Sequence, residues 1–414
     1  MRKLGIDAVG VERLAVAIRR SGPGFLNKAF TQAEIDECGG DTERLAGRWA
    51  AKEAVIKCFD GTGICYPRRR IEVLPAPSGA PQVKLLGPDG GRAHIELSIT
   101  HHSGLAVAAA LLEMADPEEL LLPPPARLDL PDRPAEGHKG TFGTVVVLAG
   151  SLGFTGAAYL SSTAAARAGA GLVRLLVAES IYPILAAKCI EVMATPVPEV
   201  APGHAGHAQH DVIVRRFEDA KAALVGPGLG RDRSTWRLAI DLALELGCPT
   251  VLDADALNAL AESRRALERL PHNRVLTPHP GEMSRLTGLS TKEVLADREA
   301  VAREHAGRWG CVVVLKGAHT VVAGPDGELS VDPHQVPALA SGGTGDVLGG
   351  VIAAFLAQGL DPFAAAVSGV YVHAAAGRRI EHRLGPAGLL ASDLLEEVPI
   401  VMKLLREGHI ATTG

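Results

Sequence analysis

Short apolar runs recur along the C-terminal two thirds of the chain, separated by stretches long enough to form helices. Such uninterrupted runs are typical of strands in a parallel sheet that is buried on both faces, because neither face then needs polar residues. Helices between the runs predict an α/β domain of three layers with a mainly parallel sheet. The predicted strands are Val145–Leu148, Val173–Val177, Ala222–Val225, Thr250–Leu252, Arg274–Leu276 and Val312–Leu315.

The N-terminal part of the chain has a different pattern, with strands and helices in a less regular order. A strand-like start at Leu4–Asp7 precedes helical stretches near residues 10–20 and 43–59. Shorter runs rich in branched residues follow, and turn residues separate them. This order predicts an α+β domain. The later predicted strands are Ile71–Leu74, Gln82–Leu86, Ile95–Thr100 and Leu105–Leu112.

A proline-rich segment separates the two parts. Three consecutive prolines, Pro123–Pro125, are followed by two more before the α/β pattern begins. Stacked prolines stop helices and favour an extended spacer. We therefore predict two domains, residues 1–115 and 136–414, joined by a linker over residues 116–135.

Composition narrows the class of protein. The 414 residues are 47% hydrophobic and 21% charged, which is typical of a globular chain rather than a disordered one. No apolar run is long enough to span a bilayer, and no basic stripe with interleaved aromatic residues indicates nucleic acid. The six cysteines form no CxxC pair, so we expect reduced thiols in a cytoplasmic protein. We expect neither a membrane nor a nucleic acid as a partner.

One helical segment of the first part carries a carboxylate and two ammonium groups. Glu53 and Lys57 are four residues apart on one helix face, and Lys52 is next to that face. With Asp7, which leaves the first strand, they have the chemistry to hold Mg²⁺ on a diphosphate, because Mg²⁺ prefers one or two carboxylates plus substrate phosphates. A Glu–Lys pair at this spacing is also common as a solvated surface bridge, so the spacing alone leaves both interpretations open.

The motifs around these residues resemble the holo-acyl-carrier-protein synthase family over nearly all of residues 1–113. Members of that family transfer 4'-phosphopantetheine from coenzyme A to a serine of an acyl carrier protein. The matching motifs are Gly5–Asp7, Phe30–Glu34, Arg48–Lys57, Pro77–Pro81 and Ser98–His101.

This resemblance implies a role for each charged residue of the segment. Asp7 and Glu53 would hold Mg²⁺ on the diphosphate, and Glu53, directly or through a water, would act as the base for the incoming serine. Lys52, Lys57 and His101 would lie near the coenzyme A phosphates. Coenzyme A is then a co-substrate and an acyl carrier protein is the partner.

A glycine-rich turn in the second part, Gly342–Asp346, precedes an apolar helix predicted from Val347 to about Gln358. Glycines let the backbone pass close to a ligand, and the start of a helix offers unpaired N–H groups and partial positive charge to a phosphate. Asp346 at that start can act as a base on a hydroxyl. The alternative is that Asp346 merely caps the helix, since Asp is among the best N-caps.

Further glycine-rich or polar turns lie at the ends of the predicted strands, where ligands bind in α/β sheets. Together they resemble the ribokinase-like superfamily and, within it, the NAD(P)H-hydrate dehydratases. The resemblance spans roughly residues 136–400. The motifs are His138–Gly140, Gly150–Ala158, Val225–Gly230, Leu252–Asn258, Thr277–Glu282, Lys316–Thr320 and Gly342–Asp346.

The implied reaction uses ADP or ATP to phosphorylate the hydroxyl at C6 of hydrated NAD(P)H, in its S epimer, so that phosphate leaves and NAD(P)H is restored. By the resemblance Asp346 is the catalytic base. The implied nucleotide-binding residues are Lys316, Gly317, Ala318, His319, Thr320 and Gly345. The implied contacts to the hydrate are Ala157, Gly228, His279 and Asp346, although His279 is also compatible with a satisfied turn histidine.

We therefore predict a bifunctional enzyme, a transferase followed by a lyase. One alternative makes the second domain a ribokinase-like kinase of a small alcohol, which would leave a stable phosphoester as its product. Another makes one half a non-catalytic module for oligomerisation or carrier docking. Members of the transferase family form trimers and dehydratases often form tetramers, so we expect a homo-oligomer.

Overall fold

The computed structural model of the protein divides into two units, Met1–Leu120 and Leu121–Gly414. Residues 116–120 of the predicted linker and the last five residues of the predicted second domain lie outside the part that the structure describes. The predicted domain boundaries stay a prediction. The structure describes residues 2–21, 23–60, 65–86, 93–114 and 121–409.

The first unit is an α+β fold built on an antiparallel sheet. Its strands are β1 (Arg2–Gly10), β2 (Ile71–Pro75), β3 (Pro81–Leu85), β4 (Ala93–His102) and β5 (Leu105–Met114). Its helices are α1 (Val11–Ser21), α2 (Pro23–Ala29), α3 (Gln32–Cys38) and α4 (Thr42–Cys58). The sheet has the order β1-β5-β4, and β2 pairs with β3 as a separate antiparallel hairpin.

Helix α4 lies close to β1 because Gly5 has no side chain. A Cβ atom at Gly5 would lie 2.0 Å from the carbonyl oxygen of Ala54, a separation that no real side chain tolerates. The core residues of α4, among them Ala50, Ala51 and Val55, are completely buried. This close packing brings the polar residues of α4 beside Asp7, which lies two residues further along β1.

The second unit contains a nine-stranded sheet in the order β16-β15-β14-β13-β12-β11-β6-β7-β8. Along this order, every neighbouring pair from β14 through β13, β12, β11, β6 and β7 to β8 is parallel. At the other edge β15 pairs with β14, and β16 with β15, in antiparallel fashion. The strands, with the short β9–β10 hairpin, are β6 (Thr144–Leu148), β7 (Leu172–Ala178), β8 (Met193–Val197), β9 (Glu199–Ala201), β10 (His204–Ala205), β11 (Ala222–Val225), β12 (Thr250–Leu252), β13 (Arg274–Leu276), β14 (Val312–Leu315), β15 (Val321–Ala323) and β16 (Leu329–Val331).

Helices cover both faces of this sheet, which completes the three layers that the sequence predicts. The two faces form two apolar clusters, because alternate residues of each strand point to opposite sides. The helices are α5 (Thr155–Arg167), α6 (Tyr182–Lys188), α7 (His210–Val214), α8 (Arg233–Glu245), α9 (Asp255–Glu262), α10 (Arg264–Leu267), α11 (Pro280–Thr287), α12 (Thr291–Ala296), α13 (Arg298–Trp309), α14 (Thr344–Ala357), α15 (Pro362–Leu384) and α16 (Ala391–Arg406). No helix in the described residues is long and apolar enough to cross a membrane.

The proline-rich segment from Leu121 onward packs on the second unit and is not a free spacer. Leu121 is buried in the apolar cluster of α14 and α15. The hydroxyl of Tyr371 donates to the carbonyl of Leu122, and the backbone N–H of Asp129 donates to Ser368 Oγ over 3.0 Å. An extended segment leaves its backbone groups unpaired, and these contacts with α15 satisfy two of them.

Arg274, the first residue of β13, is completely buried and holds the end of α8 in place. Its guanidinium donates to the carbonyls of Ala243 at 2.7 Å, Leu246 at 2.5 Å and Cys248 at 3.0 Å. None of these acceptors is a carboxylate, and burial lowers the pKa of Arg274 to about 10. The side chain therefore satisfies carbonyls that the helix cannot satisfy itself.

We expect Arg274→Met to lower the free energy of unfolding by about 2–4 kcal/mol, because it leaves several buried carbonyls without donors. Urea unfolding followed by circular dichroism measures the change. The matched control is Arg303→Met, which replaces an exposed arginine of α13. Equal effects of the two substitutions would contradict this role for Arg274.

Candidate active sites

The first turn of α14 places Asp346 inside the helix and not at its cap. The cap residue is Gly343, whose φ is +91°, and no side chain caps the helix. A Cβ atom at Gly343 would also lie 2.7 Å from Leu160 Cδ1 of α5. The helix starts at Thr344, three residues earlier than predicted, so the capping explanation for Asp346 is wrong. The N–H groups of Thr344 and Gly345 lie in this first turn, where helices bind anions.

A lysine–carboxylate pair lies directly against this turn. Lys316, just after β14, donates from Nζ to Asp253 Oδ1 over 2.8 Å, and Asp253 follows β12. Glu282 Oε2 is 3.9 Å from the same Nζ. A Cβ atom at Gly345 would be 3.3 Å from Lys316 Nζ and 4.0 Å from Asp253 Oδ2. Glycine at position 345 thus lets the helix start approach the ion pair.

Burial shapes the charge of this cluster. Burial and, to a smaller extent, the negative charge of Asp253 raise the pKa of Asp346 to about 7, while the positive charge of Lys316 opposes the shift. Burial also raises the pKa of Glu282. For Lys316 burial alone would lower the pKa, but the carboxylates of Asp253 and Glu282 raise it above the ordinary value. The lysine therefore stays charged while Asp346 can gain and lose a proton near neutral pH.

A cavity of about 330 Å³ opens between this cluster and helix α15. One part of its wall is polar and includes Lys316, Thr320 and Thr344. The rest is mostly apolar, and the apolar lining residues are Val336, Pro337, Leu339, Ala340, Leu348, Val370 and Ala374. A polar end beside a helix N-terminus and an apolar body suit a ligand with a phosphate group and a flat base.

The predicted hydrate contacts lie at neighbouring strand ends. A Cβ atom at Gly228 would be 2.9 Å from Ala157 Cβ, so these two residues adjoin. His279 caps α11, because its Nδ1 accepts from the backbone N–H of Gly281 over 3.0 Å. Burial and the charge of Lys316 lower the pKa of His279. The ring is thus a satisfied turn histidine at Nδ1, while its Nε2, on a half-exposed side chain, lies 3.5 Å from Glu282 Oε1.

The first unit brings two carboxylates and a lysine together where α4 crosses β1. Lys57 Nζ is 2.8 Å from Asp7 Oδ1 and donates to the carbonyl of Ile6 over 2.8 Å. The hydrogen bond that Lys57 donates to Asp7 raises the pKa of Lys57, and the charge of Glu53 adds a smaller effect. Glu53 is paired with the guanidinium of Arg68. Both carboxylates therefore lie near Lys57, and two partly buried carboxylates are a donor set that suits Mg²⁺.

Lys52 does not belong to this group, which corrects the prediction that it lies near the coenzyme A phosphates. Its side chain is completely buried, and Nζ donates to Glu34 Oε2 at 2.6 Å and to the carbonyls of Ala29 and Arg68 at 3.0 Å each. An ammonium group has three donors, so none remains for a ligand. Lys52 ties α4 to the start of α3 and to the turn before β2.

His101, on β4, packs against a different part of helix α4 from the one that carries Glu53 and Lys57. A Cβ atom at Gly47 would be 2.5 Å from His101 Nε2, so the ring packs against α4 at Gly47. Six residues of helix separate Gly47 from Glu53, roughly 9 Å along the axis. Within this unit the structure thus does not bring His101 next to Asp7 and Glu53.

Comparison with known proteins identifies the second unit. Residues 145–400 match the family model described as NAD(P)H-hydrate dehydratase, and this range is more than half of the chain. The chain belongs to the NAD(P)H-hydrate dehydratase family. Residues 3–110 match the model of the 4'-phosphopantetheinyl transferase superfamily. The predictions of two enzyme families, of two domains and of a mainly parallel sheet in the second are confirmed.

Individual relatives agree with the dehydratase family. The bifunctional NAD(P)H-hydrate repair enzyme of Moorella thermoacetica is 43% identical over 281 residues, 68% of this chain, and the chain spans about half, 53%, of that relative's length. The ADP-dependent (S)-NAD(P)H-hydrate dehydratase of Neisseria meningitidis is 41% identical over 63% of this chain and 86% of that protein. The Bacillus subtilis ADP/ATP-dependent NAD(P)H-hydrate dehydratase, co-crystallized with ATP/Mg²⁺, matches with a TM-score of 0.58 and 35% identity, over 67% of this chain and 95% of that chain.

Most of the predicted nucleotide-binding residues of the dehydratase unit line one cavity. Lys316, Gly317, Ala318, Thr320 and Gly345 are all part of its wall. His319 is not, because its Nδ1 faces the carbonyl of Asp332 at 3.1 Å and its N–H donates to the carbonyl of His334. The side chain of His319 thus fixes the loop before β15 and lies away from the cavity.

Sequence reasoning missed Asp253, Glu282 and His334 as members of the dehydratase site. The signal for the first two is position, since Asp253 directly follows a predicted strand and Glu282 is the last residue of the motif Thr277–Glu282. His334 lines the cavity, is 3% exposed and holds Asp332 Oδ1 through Nδ1 at 3.1 Å, while its Nε2 has no partner in the described part of the chain. No local pattern around His334 predicts its burial.

The two lysines of α4 are expected to respond differently to replacement. Lys52→Met leaves Glu34 charged and buried without its cation, so we expect the free energy of unfolding to fall by about 3–5 kcal/mol. Lys57 is half exposed and its ion pair with Asp7 is screened by solvent, so Lys57→Met is expected to leave the midpoint of unfolding nearly unchanged. Denaturant unfolding of both variants measures this. Similar losses of stability would contradict the assignment of Lys52 to the core.

Proposed function

We propose that the protein is a bifunctional enzyme, with hydrated NAD(P)H repaired in the second unit and 4'-phosphopantetheine transferred in the first. The repair reaction rests chiefly on one observation, the position of Asp346 in the first turn of α14, beside Lys316 and the cavity. The donor is ADP or ATP, which agrees with the names of the Neisseria and Bacillus relatives. The substrate is the S epimer of the hydrate, as in the name of the Neisseria enzyme.

The chemistry needs a base, an anion site and a cation. Asp346 takes the proton of the C6 hydroxyl, and the oxygen of that hydroxyl bonds to the terminal phosphorus of the nucleotide. The bond between this phosphorus and the bridging oxygen of the nucleotide breaks, and the shortened nucleotide leaves. Lys316 and the N–H groups at the start of α14 stabilise the negative charge of the transferred group. The ring nitrogen then expels phosphate from C6, and loss of a proton from C5 restores the dihydronicotinamide. Ala157, Gly228 and His279 would line the pocket of the hydrated ring.

The alternative of a small-alcohol kinase has less support. It would use the same base and anion site, but its product is a stable phosphoester and no free phosphate appears. The family match of residues 145–400 favours the dehydratase. A phosphate assay in the repair reaction separates the two.

For the first unit we propose that Asp7 and Glu53 hold Mg²⁺ on the diphosphate of coenzyme A, and that Lys57 binds a phosphate oxygen. Bound Mg²⁺ stabilises the charge of the leaving phosphate. Glu53, directly or through a water, takes the proton of the carrier serine, whose oxygen bonds to the pantetheine phosphorus as the bond to adenosine 3',5'-bisphosphate breaks. Asp7 is ion-paired with Lys57 and Glu53 with Arg68, so both carboxylates already lie beside a cationic side chain.

Repair is expected to need the ionised form of Asp346. With hydrated NADH and ADP or ATP, recovery of the dihydronicotinamide absorbance should slow as the pH falls through about 7, because protonated Asp346 cannot accept the hydroxyl proton. Asp346→Asn should lower kcat by on the order of 10²- to 10⁴-fold. The control is Asp326→Asn in the turn after β15. Nucleotide-dependent recovery in the Asp346→Asn variant at the wild-type rate would disprove the proposed base.

The two activities are expected to be lost separately. Glu53→Gln should abolish loading of phosphopantetheine onto an acyl carrier protein, because the variant lacks both the metal ligand and the base, while repair of hydrated NADH continues. Mass spectrometry of the carrier protein measures loading. Glu43→Gln, an exposed residue of the same helix, is the matched control. Loading by the Glu53→Gln variant at the wild-type rate would rule out this site.

A further inference from the structure

A second groove lies on the dehydratase unit, on the face of the sheet covered by α8, α9 and α11. Its volume is about 410 Å³. No step of the proposed reaction uses it. The lining residues are Arg231, Trp236, Asn258, Ala261, Glu262 and Arg285.

One end of the groove is bonded to the turn that contains Gly228. Trp236 donates from its indole Nε1–H to the carbonyl of Gly230 over 2.9 Å. The backbone N–H of Gly230 in turn donates to Asp255 Oδ2 over 2.8 Å. This end of the groove is therefore held against Gly230, two residues after the proposed hydrate contact at Gly228.

The other end adjoins His279, the second proposed hydrate contact. Arg285 lies on α11, the helix that His279 caps, and a Cβ atom at Gly281 would be 3.9 Å from its Nη1. Arg285 also donates from Nε to Asn258 Oδ1 over 2.9 Å, and Asn258 donates to Asp255 Oδ1 over 3.1 Å. A continuous set of hydrogen bonds thus runs from one end of the groove to the other through Asp255, which follows strand β12.

The groove carries two exposed arginines, Arg231 and Arg285. Neither has a carboxylate within 4.0 Å among the described residues, although the charge of Arg285 acts on Glu282 from a greater distance. Glu262 also lines the groove, but no described contact within 4.0 Å joins it to either arginine. Guanidinium groups bind phosphates through two parallel N–H bonds, and an indole offers a flat surface on which a purine stacks.

We propose that this groove binds the adenosine half of the dinucleotide substrate. Arg231 and Arg285 bind its phosphate groups, and Trp236 supports the adenine ring. The inference rests on the proposed repair function, which places the nicotinamide half at Gly228, His279 and Asp346. A dinucleotide that spans from those residues into the groove is held at both ends, which orients the C6 hydroxyl toward Asp346.

The test compares a dinucleotide with a mononucleotide substrate. For Arg231→Ala and Arg285→Ala we expect KM for hydrated NADH to rise about tenfold each with kcat nearly unchanged, since a charge-assisted bond made equally in ground and transition state is lost. Hydrated reduced nicotinamide mononucleotide lacks the adenosine half, so its KM should not change. A larger effect on hydrated NADPH than on hydrated NADH assigns the arginines to the 2'-phosphate, and equal effects assign them to the adenosine-side phosphate of the diphosphate.

Controls separate the groove from folding and from the repair function itself. Arg269→Ala removes an exposed arginine outside the groove and should change neither KM. Calorimetry with NADP⁺ and with nicotinamide mononucleotide gives a readout without turnover, and only NADP⁺ should bind more weakly to the Arg231→Ala variant. Wild-type protein that binds NADP⁺ in this way without repairing the hydrate overturns the proposed function and supports the groove. Unchanged KM and NADP⁺ affinity in both arginine variants, or equal losses for the mononucleotide, overturn the groove.

Discussion

The close packing of α14 between the central sheet and α5 determines where the dehydratase unit can do chemistry. A Cβ atom at Gly350 would lie 2.1 Å from the carbonyl oxygen of Ser161, and one at Gly349 would lie 3.3 Å from Leu224 Cδ1. Glycine is required at position 350, and at position 349 it leaves room for the side chain of Leu224. Because the helix lies so deep, its first turn reaches Lys316 and Asp253 at the ends of β14 and β12. The first turn of α14, with Asp346, thus meets Lys316 because of backbone packing, and this is where we propose the base and the anion site.

Lysine–carboxylate pairs occur in both units. Whether such a lysine can also bind a ligand depends on how many of its three ammonium N–H donors are without an acceptor. Lys52 has three acceptors and no exposure, so its ion pair with Glu34 is purely structural. Lys316 has one close acceptor, Asp253, and its side chain is 20% exposed beside a cavity. A lysine of this second kind can bind a phosphate without losing its partner, because two ammonium protons remain. Sequence spacing cannot tell these two cases apart.

Local patterns predicted the secondary structure of the second unit better than its site. Continuous apolar runs such as Val312–Leu315 coincide with observed strands because burial on both faces leaves a strong signal. The less apolar strand Met193–Val197 at the sheet edge was not predicted, since an edge strand needs fewer buried residues. Asp253 was missed because its partner Lys316 is 63 residues away, and Lys52 was misassigned because its partner Glu34 is on another helix. Such pairings depend on the tertiary fold.

The carboxylate cluster at the dehydratase site makes the folded protein less stable than a neutral site would. The pKa of Asp346 is about 7 in the folded protein against 3.8 in the unfolded chain, so folding takes up a proton between these values. A raised carboxyl pKa gives stability that is fully present below 3.8 and is lost as the pH rises to about 7. At neutral pH the folded protein therefore contains a partly ionised, buried carboxylate, and the positive charge of Lys316 reduces the free-energy cost of burying it. The same burial that weakens the fold gives Asp346 a proton affinity suited to a base, so stability and catalysis oppose each other at this residue.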